Sequence, residues 1–246
     1  MQQKRNVVIT GAAGGIGSLL VKRFLSNQDR VFAMDRNEEG LKRLTGNLRK
    51  DDQLVTFRGD VSKRDDTLHC ADLVRAKAGQ LHVLINCSGD FPFRAFEQMY
   101  PDEWREIIDT NLSSVFLMVQ AMLPLMKAAG WGRVVNFGSS AMFEGVPEQV
   151  HYVAAKAGVV GLSRSLAGEL GVYGITVNVI TPGLTGTEPI NRTAKPELIT
   201  QQRDVRSLHR DGQPEDLVGP VFFLASPDAE FISGQILNVD GGKIKH

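Results

Sequence analysis

Short apolar runs alternate along the chain with longer stretches whose apolar residues recur at helical spacing. The runs predict strands buried on both faces, because such strands are almost wholly apolar. These strands are expected at residues 6–10, 30–34, 54–57, 81–85, 132–137, 175–181 and 235–239. The helices are expected at 16–24, 38–48, 68–78, 101–126, 150–170 and 214–225. This alternation predicts an α/β fold, a doubly wound parallel sheet of Rossmann type with about seven strands.

The chain shows no internal repeat or linker, so we expect residues 1–246 to form a single domain. Residues 184–213 are polar, contain two prolines (Pro189 and Pro196) and keep no sustained period. They predict a substrate flap with one or two short helices. Asn111 falls in the middle of the helical pattern at 101–126. Its amide there indicates either a local kink around a buried group or an ordinary surface position.

Composition narrows the kind of partner. Lys plus Arg equals Asp plus Glu at 28 each, so no net field favours nucleic acid or an anionic membrane surface, and a small molecule is the expected partner. No apolar run approaches the roughly 20 residues of a membrane span, and Met1 to Arg5 leads directly into a strand. We therefore expect a cytoplasmic protein. Cys70 and Cys87 are expected to be free thiols, and no metal site is predicted.

Four glycines follow the first predicted strand and open the first predicted helix: Gly11, Gly14, Gly15 and Gly17. Such a turn lets the backbone approach a ligand, and the helix N-terminus offers free N–H groups to a pyrophosphate. Asp35 lies 18 residues after Gly17, close to the interval at which dinucleotide-binding folds place an acid on the adenosine ribose. A plain βα turn and an exposed aspartate fit the same residues when each is taken alone.

Tyr152 and Lys156 are separated by four residues within the predicted helix 150–170, so their side chains should share one face. A cation beside a phenol favours the phenolate and would bring the pKa of Tyr152 from about 10 toward the range of a general acid and base. Taken alone, the pair fits an exposed helix surface equally well.

The ordered set of motifs resembles the short-chain dehydrogenase/reductase family over the whole chain, in its compact single-domain branch. The motifs are Thr10-Gly11-x-x-x-Gly15-Ile16-Gly17, Asp60-Val61, Asn86-x-x-Gly89, Asn111, Ser139, Tyr152-x-x-x-Lys156 and Pro182-Gly183-x-x-x-Thr187. One departure is visible, because the usual Asn-Asn-Ala-Gly is Asn86-Cys87-Ser88-Gly89 here. The wall of the pocket beside these residues is therefore expected to differ from the family pattern.

The resemblance implies a role for each matching residue. Tyr152 would exchange a proton with the substrate oxygen, Ser139 would bind that oxygen, and Lys156 would hold the nicotinamide ribose. Asn111 would hold a water molecule that relays protons to Lys156. Ser140 competes for the role of Ser139, but the 13-residue separation of Ser139 from Tyr152 fits the family pattern. The implied cofactor-binding residues are Gly11, Gly14, Gly15, Ile16, Gly17, Asp35, Asp60, Val61, Asn86, Gly89, Tyr152, Lys156, Pro182, Gly183 and Thr187.

The substrate pocket should be lined by the residues that follow the strand ends. We expect it to include Asp90, Phe91, Phe93, Ser139, Phe143 and Glu144, with Met142 and the flap nearby. A mostly apolar pocket suits a hydrophobic or cyclic secondary alcohol or its ketone. The same aromatic residues would also serve as ordinary core packing.

Three functions remain open at this point. The first is hydride transfer between a nicotinamide cofactor and a small alcohol or ketone. The second is reduction of 3-oxoacyl groups on an acyl carrier protein, although residues 128–131 and 172–174 lack the arginines that such family members tend to carry. The third is a catalytically idle dinucleotide-binding scaffold, which the intact catalytic set disfavours.

The cofactor and the assembly are also expectations of the sequence. Asp35 and an uncharged glycine turn favour NAD over NADP, although Arg36 could soften that preference. The family and the glycine-rich helix at 150–170 suggest a homo-oligomer, in particular a tetramer.

Overall fold

The computed structural model describes residues 4–46, 53–188, 190 and 196–245. Within this part of the chain, seven parallel strands form one sheet. They are β1 Asn6–Thr10, β2 Arg30–Asp35, β3 Leu54–Arg58, β4 Val83–Asn86, β5 Gly132–Phe137, β6 Ile175–Pro182 and β7 Ile236–Val239. The predicted strands are confirmed, with β4 starting two residues later than expected and β7 one residue later.

The strand order β3-β2-β1-β4-β5-β6-β7 places the topological switch between β1 and β4. The chain runs outward from β1 to β3 and then crosses back, so the connections after β1 and β4 leave the sheet in opposite directions. A crevice forms at such a point, outside the carboxyl ends of the strands. Thr10 and Asn86 are register partners at these ends, and the Thr10 hydroxyl accepts hydrogen bonds from the N–H groups of Cys87 and Ser88 at 3.2 Å each.

Helices cover both faces of the sheet. In the described residues they are α1 Gly15–Ser26, α2 Glu38–Gly46, α3 Arg64–Ala78, α4 Pro101–Ile108, α5 Ser114–Ala129, α6 Ala141–Glu144, α7 Val150–Leu170, α8 Pro196–Asp204 and α9 Glu215–Leu224. The sequence predicted α7 to the residue. The predicted end of α2 at Leu48, residues 189 and 191–195 of the predicted flap, and His246 lie outside the described residues.

The helical pattern predicted at 101–126 is confirmed, and a π-helical turn at Asp109–Ser113 divides it into α4 and α5. Asn111 lies in this turn and is fully buried. Its amide nitrogen donates to the carbonyl oxygens of Asp90 at 2.9 Å and Ile107 at 3.1 Å. Asn111 is therefore buried, as the first of the two alternatives required. The π-helical turn directs its amide toward the loop that follows β4.

The segment Pro101–Ala129 is long and apolar enough to cross a membrane by length and composition alone. Here it is a core element, because Met118, Met122 and Met126 are fully buried in the cluster that covers one face of the sheet. The opposite face is covered by α1 and α9, where the Phe24 and Phe222 rings pack at 5.1 Å. Both free cysteines are confirmed, with Cys70 buried in the first cluster.

A buried ion pair joins the amino ends of β1 and β2 to the end of α9. The Arg5 guanidinium binds Asp29 through Nη2 at 2.6 Å and Nε at 3.0 Å, and its Nη1 donates to the Ala225 carbonyl at 2.8 Å. Asp29 is 1 % exposed and Arg5 is 5 % exposed. Removal of one partner of such a pair leaves an uncompensated buried charge.

We predict that Asp29→Ala lowers the free energy of unfolding by about 3–5 kcal/mol, because Arg5 loses its buried counter-ion. Asp102→Ala is the matched control, since its pair with Arg105 lies on the surface and should contribute about 1 kcal/mol or less. Urea denaturation of the two variants would measure the difference. Equal losses in both variants would contradict the prediction.

Candidate active site

The glycine turn between β1 and α1 is built so that no side chain can intervene. Gly11 has φ +65°, and a Cβ on Gly17 would lie 2.0 Å from the Gly11 carbonyl oxygen. Helix α1 begins at Gly15, and no side chain caps its first turn. The amide groups of that turn therefore remain available for an anionic ligand. A dinucleotide pyrophosphate fits this cradle.

Asp35, at the end of β2, lies beside the glycine turn. Its carboxylate accepts hydrogen bonds from the N–H groups of Ala13 at 2.9 Å and Asn37 at 2.8 Å. The next residue, Arg36, is directed toward the other side of the switch point and forms an ion pair with Asp90 at 3.8 Å. Asp35, which was predicted to bind the ribose, therefore lies at the rim of the glycine turn. Arg36, which could offset the charge of Asp35, is paired with Asp90.

Tyr152 and Ser139 face each other at the carboxyl end of β5. A hydrogen bond between their side chains lowers the pKa of Tyr152, while burial of the hydroxyl raises it more strongly. The Ser139 hydroxyl also accepts from the N–H of Ala141 at 3.2 Å. The neighbouring Ser140 instead donates to Glu144 at 3.3 Å. These contacts place Ser139, and not Ser140, next to Tyr152, as the motif spacing predicts.

Lys156 follows Tyr152 by one turn of α7 and is 4 % exposed. Its Nζ donates to the Phe137 carbonyl at the end of β5 at 2.9 Å, and burial lowers its pKa to about 8. A Cβ on Gly89 would lie 3.3 Å from this Nζ and 2.8 Å from the Asn111 amide oxygen. A glycine at position 89 therefore lets the Lys156 and Asn111 side chains converge on the loop after β4.

The expectation that Lys156 lowers the pKa of Tyr152 was wrong for this arrangement. Burial raises the pKa of Tyr152, because the phenolate form loses more stabilisation by water than the hydrogen bond with Ser139 supplies. The Lys156 ammonium lies 5.8 Å from the centre of the tyrosine ring and gives its hydrogen bond to Phe137. The two side chains share one helix face, as predicted, but the cation does not contact the hydroxyl.

One cavity of about 260 Å³ extends from Ile16, at the start of α1, to the Tyr152 side chain. Predicted residues in its lining are Ile16, Gly89, Phe91, Phe93, Asn111, Ser139, Glu144, Tyr152, Lys156, Pro182, Gly183 and Thr187. The Phe91 ring meets Tyr152 edge-on at 6.4 Å, so it belongs to the pocket wall. Thr187 closes the cofactor side, because its methyl group lies 3.1 Å from the position of a Cβ on Gly15.

Two residues predicted for the substrate pocket lie outside the lining of this cavity. Asp90 pairs with Arg36 and does not line the cavity, and neither does Phe143. The Asn86 amide is buried against Asn136, to which it donates at 2.8 Å, so it joins β4 to β5 behind the crevice. Asp60 accepts hydrogen bonds from Ser62, and Val61 is buried in the core after β3. Sequence spacing alone could not resolve which way these side chains turn.

Other polar residues of the pocket were missed. Gln149 is 5 % exposed, lines the cavity and donates to the Phe91 carbonyl at 3.0 Å. Gln202 of α8 lines the flap side. Lys243, after β7, forms an ion pair with Glu144 and donates to Gln202 at 2.7 Å. A glutamine three residues before Tyr152 was a readable signal, whereas nothing local links Lys243 to a residue 99 positions earlier.

Comparison with known proteins agrees with this geometry. A family model described as enoyl-(acyl carrier protein) reductase matches residues 11–243. A 2,3-dihydroxy-2,3-dihydro-p-cumate dehydrogenase of Pseudomonas putida is 36 % identical over 241 residues, covering 96 % of this chain and 92 % of the relative. A 3-oxoacyl-[acyl-carrier-protein] reductase of Haemophilus influenzae is 32 % identical, with 98 % of each chain covered.

A solved short-chain dehydrogenase/reductase, a glucose/ribitol dehydrogenase from Brucella melitensis, superimposes with a TM-score of 0.91 at 27 % identity. The superposition covers 98 % of this chain and 97 % of that one. The chain belongs to the short-chain dehydrogenase/reductase family. It is an oxidoreductase that acts on alcohol or ketone groups, and its family uses nicotinamide cofactors.

We predict that Tyr152→Phe lowers kcat/KM by about 10²-fold or more, because the hydroxyl acts on the substrate oxygen. Cofactor affinity should stay within a few-fold, since the ring that packs against Phe91 is kept. Tyr173→Phe is the control, because that tyrosine packs under Lys127 away from the cavity. Steady-state kinetics and cofactor titration measure both effects, and near-normal turnover by Tyr152→Phe would refute the assignment.

We predict that Lys156 makes stability depend on pH. Its folded pKa of about 8 lies below the ordinary 10.5, so between these values the unfolded chain holds a proton that the folded chain lacks. The contribution of Lys156 to the free energy of unfolding should therefore rise with pH between about 8 and 10.5, by at most about 1.4 kcal/mol per pH unit. Urea denaturation at several pH values should show the rise in the wild type relative to Lys156→Met. A difference that stays constant with pH would contradict the shift.

Proposed function

We propose that the protein is an NAD-dependent dehydrogenase of a small, ring-bearing secondary alcohol. The observation that carries the proposal is one cavity in which Tyr152 and Ser139 face the same space as Thr187 and Ile16, the second residue of α1 after the glycine turn. A substrate oxygen at Tyr152 would then lie beside a dinucleotide held along that turn. The apolar side chains of Phe91, Phe93 and Leu184 favour a hydrocarbon ring on the remaining wall.

The chain's own residues supply orientation and proton transfer. In its phenolate form, which dehydrogenation requires, Tyr152 takes the hydroxyl proton of the alcohol, and Ser139 binds the same oxygen and holds it near the cofactor. Lys156, fixed by the Phe137 carbonyl, presents its ammonium to the ribose side of the crevice. Asn111 fixes the loop at Asp90, which keeps that wall of the crevice in place. The nicotinamide, when bound, accepts the hydride from the carbinol carbon.

The preference for NAD rests on Asp35 and its surroundings. A carboxylate at the rim of the glycine turn can accept hydrogen bonds from ribose hydroxyls, but it repels a 2'-phosphate. Two unit charges about 4 Å apart interact by roughly 4 kcal/mol at an effective dielectric constant of 20. Arg36, which could offset this repulsion, is drawn toward Asp90 instead.

Reduction of a 3-oxoacyl thioester is the second candidate, supported by the Haemophilus influenzae relative. The Pseudomonas putida relative, whose name describes a ring diol, supports the first. Residues 128–131 and 172–174 also favour the first, because they contain none of the arginines that would suit an acidic carrier protein.

A rate screen separates the two candidates. Cyclohexanol, cis-1,2-cyclohexanediol, their ketones and acetoacetyl thioester would be assayed with NAD or NADP in the matching redox state. We expect the highest kcat/KM for a ring alcohol with NAD. A higher value for the thioester with NADPH would favour the second candidate, and no hydride transfer with any of these compounds would exclude both.

We predict that the protein prefers NAD to NADP by at least about tenfold in kcat/KM. The variant Asp35→Ser should partly recover NADP use, because the carboxylate that repels the 2'-phosphate is gone while Arg36 remains. Asp102→Ser, on the surface of α4, is the control and should keep the wild-type ratio. Equal or better efficiency with NADP in the wild type would show that Arg36 outweighs Asp35.

We also propose a cytoplasmic homo-oligomer, in particular a tetramer. One face of α7 exposes Gly161 and Gly168, and no described atom lies within 4 Å of a Cβ placed on either. Interior glycines cost a helix nearly 1 kcal/mol each relative to alanine, and close approach of a second copy would offset that cost. We predict a tetramer by light scattering at micromolar concentration, and a monomer would refute it.

A further inference from the structure

Three chain segments meet in a polar cluster beside the substrate cavity, where two of its side chains line the cavity and the third contacts both of them. We call it the Glu144 cluster, and it consists of Glu144 at the end of α6, Gln202 in α8 and Lys243 after β7. Lys243 forms an ion pair with Glu144 and donates to the Gln202 side-chain oxygen at 2.7 Å. Glu144 and Gln202 both line the cavity. The Glu144 side chain is 22 % exposed and that of Lys243 is 10 % exposed.

The backbone that carries Lys243 is fixed by a carboxylate. Asp240 accepts hydrogen bonds from the N–H groups of Gly242 at 2.9 Å, Lys243 at 3.1 Å and Ile244 at 2.9 Å. On the flap side, the Ser207 hydroxyl donates to the Gly242 carbonyl at 3.0 Å. The ammonium is therefore held in place before any ligand arrives, which lowers the entropic cost of binding.

The Glu144 cluster adjoins the two serines at the end of β5. Ser140, which donates to Glu144 at 3.3 Å, is the immediate neighbour of Ser139, which binds Tyr152. Both serines line the same cavity. A small ring can therefore place one oxygen at Tyr152 and a second oxygen, on the adjacent carbon, toward Glu144.

The charges of the cluster select the chemistry of that second group. Glu144 and Lys243 together are neutral, so a substrate carboxylate would meet the repulsion of Glu144 and a substrate amine that of Lys243. A hydroxyl group can donate to the Glu144 carboxylate and accept from the Gln202 amide at once. A purely apolar substrate would cover these groups without replacing their lost hydration.

We propose that the Glu144 cluster is a specificity subsite for a second hydroxyl group, so that the preferred substrate is a cyclic vicinal diol. This inference rests on the proposed function, because it places the first oxygen of the diol at Tyr152 and Ser139. Glu144 accepts the hydrogen bond of the second hydroxyl, the Gln202 amide donates to its oxygen, and Lys243 holds both side chains in place. None of the three residues takes part in hydride or proton transfer.

The test compares cis-1,2-cyclohexanediol with cyclohexanol as substrates of the whole protein with NAD. The wild type should prefer the diol by at least about tenfold in kcat/KM, as expected for hydrogen bonds to charged groups. The double variant E144Q/K243M, which leaves no unpaired charge, should lose most of that preference, because kcat/KM should fall more for the diol than for cyclohexanol. Lys245→Met, two residues further along and exposed, should behave as wild type.

The outcomes separate this inference from the proposed function. If the wild type turned over both alcohols with nearly equal kcat/KM, the subsite would be overturned and the dehydrogenase assignment would stand. The same would follow if a folded double variant with normal NAD affinity kept the wild-type ratio of the two kcat/KM values. Preference for cis-2-hydroxycyclohexanecarboxylate over the diol would also overturn it, since Lys243 would then act alone on an anion. Absence of turnover with every secondary alcohol would overturn both.

Discussion

The hydrogen bond from Lys156 to the Phe137 carbonyl is the interaction on which the site depends. It buries an ammonium at the end of β5, at a cost that lowers the lysine pKa to about 8. That position is open to the cation only because residue 89 has no side chain, so that the loop after β4 can pass beside both Lys156 and Asn111. The same contact fixes the face of α7 that carries Tyr152. One buried hydrogen bond thus links the sheet, the helix and the crevice.

Much of this arrangement could be predicted from the sequence, because its determinants are local. The apolar runs predicted the strands, and the glycine turn follows β1 as expected, with Gly17 packed against the Gly11 carbonyl too closely for any side chain. The spacing of Tyr152 and Lys156 placed them on one face of α7. The order of the elements then brings these pieces to the carboxyl edge of one parallel sheet, where ligands of such folds bind.

The rest depends on contacts between residues distant in the chain. Asn111 lies in the π-helical turn and its amide bonds to the loop at Asp90, a contact that decides between the two alternatives that the sequence left open. Asp90 was predicted for the substrate pocket but turns toward Arg36, across the switch point. The pairing of Lys243 with Glu144 requires the segment after β7 to reach α6. Burial also reversed the expected direction of the Tyr152 pKa shift.

The central claim is that this cavity holds an alcohol and a nicotinamide together for direct hydride transfer. The most direct measurement uses cis-1,2-cyclohexanediol deuterated at both carbinol carbons, incubated with NAD and the wild-type protein. Mass spectrometry of the nucleotide should find one deuterium in each NADH formed, together with an equal amount of hydroxyketone. NADH without deuterium, or binding of NAD with no reduction at all, would contradict the account.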